Sequence, residues 1–224
     1  MKTELSVKEI ISNRKPRPII FVILLSILIV TACRSGPYEE TFDKTGNWGN
    51  GTTPDVVGLI DNSVYEMLVK SNSSLYLATA GETFGDGDYE VEATQIAGPL
   101  NNGYGFLFKV DETSDSFYVF EVSGDGWIWI GRCADLCESE QVPLVGGDWF
   151  RSPAINQGLQ ATNNLRVVID GTLMTFYVNG VEVGRTSDDR LTEGDIAVMV
   201  ETLGESGVRV IFDNFRFTPS NSST

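Results

Sequence analysis

The chain has 224 residues, with 16 Lys and Arg against 31 Asp and Glu, a formal net charge of −15, and no His. Without His there is no Ser-His-Asp triad, Cys-His dyad or His-ligated metal centre. So acidic a chain also lacks the clustered Lys and Arg that neutralise phosphates, which excludes a general nucleic-acid binder. Its apolar content of 42% is ample for a packed core, and its length suits one domain or two small ones.

Lys2, Lys8, Arg14, Lys15 and Arg17 precede an apolar run from Ile19 to Val30 that only Ser26 interrupts. A membrane-spanning helix needs about 20 apolar residues. This shorter run behind a basic segment has the pattern of a secretion signal. It closes on Val30-Thr31-Ala32-Cys33, which resembles the lipobox of bacterial lipoproteins. The resemblance implies that residues 1–32 are a removable signal peptide and that Cys33 takes a diacylglycerol. It also implies a bacterial envelope location, lipid-anchored and outward-facing. The alternative is an ordinary signal or an uncleaved anchor. Residues 33–41 read as a short tether, and loss of the leader leaves a net charge of −18. Such a surface repels nucleic acid and anionic lipid headgroups.

Residues 42–218 read as one all-β domain followed by a polar tail, 219–224. Tyr89, Val91 and Ala93 alternate with Glu90 and Glu92; Tyr104, Phe106, Phe108 and Val110 share one strand face, and Tyr118, Phe120 and Val122 share one face of the next. Trp127 and Trp129 oppose Ile128 and Ile130. Two further β-branched or aromatic runs, 165–169 and 173–178, follow. Asp125-Gly126, Asp170-Gly171 and Asn179-Gly180 stand between strand-like runs and supply the positive φ of hairpin turns. About ten short strands with no helix-period stretch after the leader predict an antiparallel sandwich or barrel.

Four stretches carry a further resemblance: Gly103–Lys109 with Ser116–Phe120, Asp125-Gly126 before an aromatic strand, Asn164–Gly180, and Phe212-Asp213-Asn214-Phe215. From Phe42 to Phe217 the chain resembles the concanavalin A-like lectin/glucanase superfamily, near its laminin-G-like and DUF1080-type secreted domains. The resemblance implies a jelly roll of two curved sheets with a concave face that often holds glycans. The superfamily includes lectins, glycosidases and adhesion modules, so fold alone does not choose among them.

Aromatic rings are the usual platform for a sugar, and Trp127, Trp129, Trp149, Tyr104 and Tyr118 are candidates to bind a polysaccharide or glycan. The competing assignment is core. Ile is the more dependably buried type, which tips Trp127 and Trp129 outward. Trp48 reads as packing. For hydrolysis, Glu90 and Glu92 are the candidate carboxylates, but Tyr89, Val91 and Ala93 look like the core side, which makes the acids a solvated stripe. Cys133 and Cys137, four apart outside the cytoplasm, are expected to form a small disulfide loop. Asp213 has the parity of Phe215 and Phe217. Pairing of the first and last strands would bring Asp43 to it, as a possible structural calcium site or as a bulge with backbone partners. No other cofactor is indicated. The resulting expectation is a non-catalytic carbohydrate-binding lipoprotein; the alternatives are a glycoside hydrolase of DUF1080 type and a protein-binding structural or adhesion module.

Overall fold

The computed structural model describes residues 36–44 and 46–220, and of residues 6–9 the backbone alone. The lipobox with Cys33, the rest of the leader and the last four residues of the tail lie outside the described residues.

Two sheets form the fold. The first runs β1 (Ser6–Glu9), β6 (Ser74–Thr79), β16 (Asp195–Thr202), β8 (Gly103–Asp111), β9 (Ser116–Ser123), β10 (Trp127–Ala134) and β11 (Glu140–Pro143), with β12 (Phe150–Arg151) also on β10. The second runs β15 (Val181–Ser187), β14 (Leu173–Val178), β13 (Thr162–Asp170), β7 (Gly87–Ala97), β17 (Val208–Pro219), β5 (Val64–Val69), β4 (Val56–Asp61) and β3 (Gly51–Thr52), with β2 (Tyr38–Glu40) on β17. Every pairing is antiparallel except β1 with β6. This is the expected jelly-roll sandwich, with no helix among the described residues. Among the described residues the strands number seventeen rather than about ten, and three of them, β2, β3 and β12, are too short to show alternation.

The core lies between the sheets, where alternation puts it. The first sheet contributes Phe106 and Phe108 from β8, Phe120 from β9, Ile128 and Ile130 from β10. The second contributes Tyr89 and Val91 from β7, Phe176 from β14 and Phe217 from β17. Phe108 and Phe120 both pack against Phe176 across the interface, with centroids 6.2 and 5.2 Å apart. Burial of each such ring contributes about 2–3 kcal/mol. The hairpins form as predicted, with one adjustment. Asn179 (φ 52°) and Gly180 (φ 79°) turn between Val178 and Val181, whereas Asp170 is still a strand residue paired with Leu173, so Gly171-Thr172 makes that turn.

The first strand after the leader, β2, does pair with the last, β17, Phe215 opposite Glu40. Asp213 nevertheless does not enter the core. Register shifts between Asp213 and Arg216, and Asn214 adopts φ 51°. This bulge lets Phe212 and Phe215 both face inward and leaves the carboxylate at the periphery.

Candidate functional site

The first sheet is apolar on both faces. Away from the core, Leu75, Leu77, Leu107, Val119, Trp129 and Met199 form a second buried cluster, against which Trp149 and Cys137 pack. The register defines one row across it: Leu77 opposite Met199, Met199 opposite Gly105, Gly105 opposite Glu121, and Glu121 opposite Trp129. In the adjacent row Leu75 faces Glu201, and Glu201 faces Gly103. Two acids thus stand on an apolar sheet face, on β9 and β16, with only the glycines of β8 between them.

The glycines are what make room. A Cβ on Gly103 would overlap Glu121 Oε2 and approach the Trp149 ring to 3.4 Å. A Cβ on Gly131 would run into the Trp129 ring, which lies over it. Glu121 and Glu201 are buried, 2% and 6% exposed. Burial, then the charge of Glu201, pushes the Glu121 carboxyl well above the usual range; burial pushes Glu201 up as well. The carboxyls hydrogen-bond to each other. Two carboxyls in that contact do not both ionise readily. No N–H or O–H of the described residues donates to Glu121 Oε2. The pair lines a recess with Trp129, Met199, Gln141 and the disulfide-bonded Cys133 and Cys137. The predicted disulfide therefore closes one wall of this recess.

The structure puts three of the five predicted sugar-platform residues on the outer face of the first sheet. Trp127 and Trp129 lie opposite core-facing Ile128 and Ile130, and Trp149 packs against the cluster that holds Trp129. They are not equally available. Trp129 is buried, whereas Trp149 and Trp127 are half-buried, and the Arg151 guanidinium sits 4.7 Å from the Trp127 ring centroid. Tyr118 lies on the other side of its strand, in the core, stacked on Phe108 at 5.2 Å. Its hydroxyl donates to Asp188 at 2.6 Å, and burial pushes its pKa up. Tyr104 is likewise in the core, with its hydroxyl bonded to Asn163 at 3.2 Å. Both tyrosines share the parity of inward-facing phenylalanines.

Glu90 and Glu92 sit on the second sheet, with Tyr89, Val91 and Ala93 buried between them. Each already has a partner: Asn164 donates to Glu90 at 2.6 Å and Asn214 to Glu92 at 2.9 Å, while Asp88 accepts Arg166 through both oxygens. Neither joins the recess. Asp43 and Asp213 come within electrostatic reach of each other: burial, then Glu92 and Asp43, pushes Asp213 up, against a backbone hydrogen bond from Asn214. Hydrogen bonds from Ser63 and Thr41 hold Asp43 down. Among the described residues no three His, Cys, Asp or Glu are grouped to hold a metal ion.

Sequence reading passed over Glu121 and Glu201. Each is a lone acid in an otherwise apolar strand, FYVFEV and IAVMVE, and such an acid, buried on either face, needs a partner.

No protein-family model matches the chain, and no curated protein is similar to it. Solved structures do share its fold. The carbohydrate-binding module CBM66 from Bacillus subtilis superposes with a TM-score of 0.61 at 14% identity, covering 77% of this chain and 96% of the module. The β-glucanase of Bacillus licheniformis superposes at 0.57 and 14% identity, covering 83% and 99%. A β-1,3-1,4-glucanase from a mouse hindgut metagenome gives 0.61 and 13%, covering 82% and 99%. The fold is the concanavalin A-like jelly roll that binding modules and glucanases share.

Proposed function

We propose that this is a lipid-anchored, outward-facing envelope protein whose jelly roll binds a polysaccharide without cleaving it, at the outer face of the first sheet. One observation carries the choice: that face gathers Trp129 and Trp149 beside two buried carboxyls that act on each other directly, with Trp127 two residues along the same strand. A glycosidase holds its two carboxyls about 5–5.5 Å apart for retention, or about 6.5–9.5 Å for inversion, so that a bond or a water fits between them. The Glu121 and Glu201 carboxyls instead act on each other directly. The leader and the lipobox-like Val30–Cys33 support export and anchoring, and the binding module and glucanases of the same fold support a saccharide ligand. A hydrolase is the second reading, because buried carboxyls with raised pKa are what a general acid requires.

The full chain, in an uncharged non-saccharide detergent, is titrated against a polysaccharide panel while reducing ends are assayed. The expected result is binding without new reducing ends, weakened about tenfold or more by Trp127→Ala or Trp149→Ala. New reducing ends that disappear in Glu121→Gln would establish the hydrolase instead. Absence of binding and cleavage together would point to a protein-binding structural module.

A further inference from the structure

The recess beside Trp129 has a definite chemical demand. Its two carboxyls are nine-tenths or more buried, and Glu121 Oε2 receives no hydrogen bond from the described residues. The charges that act on the pair are the partner carboxyls themselves; no Lys or Arg contributes. The rest of the lining is apolar, except for Gln141. Gln141 is exposed, and it stands opposite Cys133 where β11 pairs with β10. Among the described residues the lining therefore carries two carboxyls and no cationic side chain, and its side-chain N–H donors are those of Gln141 and Trp129.

Of three charged ligand classes, two fit poorly. A hard divalent cation wants six or more oxygen ligands, and among the described residues the pair has no third acidic neighbour grouped with it. A uronic or sulfated sugar would set its negative charge against two carboxyls in a low-dielectric pocket. A protonated primary amine fits. It is compact, carries one positive charge and has three N–H donors, which match Glu121, Glu201 and the Gln141 side-chain carbonyl. The adjoining Trp129 ring adds a favourable quadrupole for a cation.

We infer that the Glu121–Glu201 recess binds a protonated primary amine and, resting on the saccharide reading above, that the ligand is a sugar polymer carrying free amino groups. N-acetylation would remove both the charge and two of the three donors.

The test uses the full chain in the same detergent, with calorimetry at pH 7. The probes are a neutral β-glucan oligosaccharide, an N-acetylglucosamine oligomer, its deacetylated counterpart and spermidine. The deacetylated oligomer should bind about tenfold or more tighter than the acetylated one. Glu121→Gln and Gln141→Lys should each erase that preference. Gln141 is exposed, so Gln141→Lys places a competing cation at the mouth without touching the core, and a melting curve verifies folding of both variants. Equal or tighter binding of the acetylated or neutral oligomer would overturn the amine inference and leave the saccharide reading standing. Binding of spermidine without either glucosamine oligomer would uphold the amine recess and overturn the saccharide reading. If no probe binds, both fall.

Discussion

Gly105→Ala should destabilise the fold by about 3 kcal/mol, which for a domain of this size lowers the melting temperature by about 10 °C. The reason is space rather than backbone freedom. Gly105 lies in the row between Met199 and Glu121, and a Cβ there would overlap the backbone oxygen of Phe120 and come within 2.9 Å of the Glu121 Cα. Backbone atoms in a sheet interior cannot swing aside as a flexible side chain does. Strands β8 and β9 must part instead, loosening the Phe106–Phe120 pair, whose rings are 5.9 Å apart. The same shift moves Glu121, so saccharide binding should weaken in whatever fraction remains folded. Gly36→Ala, with nothing within 4 Å of its added Cβ, is the matched control. Urea denaturation of the two variants decides the matter. A Gly105→Ala protein within about 0.5 kcal/mol of the parent would show that the row is not packed as described.

The second large effect is on pH dependence, and its direction is unusual for a protein this acidic. Asp195 accepts hydrogen bonds from the Gly81, Glu82 and Ile196 amides, yet burial outweighs them and lifts its pKa from 3.8 to about 6. Glu121 and Glu201 are raised as well, by burial and by each other. A carboxyl whose folded pKa lies above its unfolded value holds its proton more tightly when folded. Its stabilisation is complete below the unfolded value and is lost as pH rises through the folded one. Asp195 alone should withdraw about 3 kcal/mol between pH 4 and pH 7, and the Glu pair should act in the same direction. The melting temperature is therefore expected to fall by about 10 °C between pH 5 and pH 8. Surface repulsion from the excess acid pushes the same way, but salt screens it. The part that survives 1 M salt and shrinks in Glu201→Gln belongs to the buried carboxyls. Stability that is flat or rises across this range would mean that these acids are ionised and solvated.

Much of the fold was legible because β-structure writes its faces into every second residue. Alternation separated Tyr89, Val91 and Ala93 from the acidic stripe, whereas placing Ile128 and Ile130 inward of Trp127 and Trp129 also needed the greater burial tendency of Ile. Alternation fails where both faces are apolar. On β9, Tyr118 and Val119 look equally suited to the core, and only the second cluster of Leu107, Val119 and Met199 reveals that each side is covered. It also fails at a bulge, where Asp213-Asn214 resets the parity. The Glu121–Glu201 pair was illegible for a different reason. The two residues are eighty apart in the chain, and they meet because β8 lies between β9 and β16 and presents glycines there. Nothing local to either acid encodes that register.

The central claim is that ligand binds on the outer face of the first sheet, over Trp127, Trp149 and the carboxyl pair. Hydrogen exchange of the full chain, with and without a saturating amount of the tightest-binding oligosaccharide, tests it directly. Protection is expected along β8, β9, β10, β11 and β16, and around Trp149. Protection concentrated on β7, β13 and β17, the strands of Glu90, Glu92, Asn164 and Asn214, would place the ligand on the opposite side of the sandwich and contradict the account.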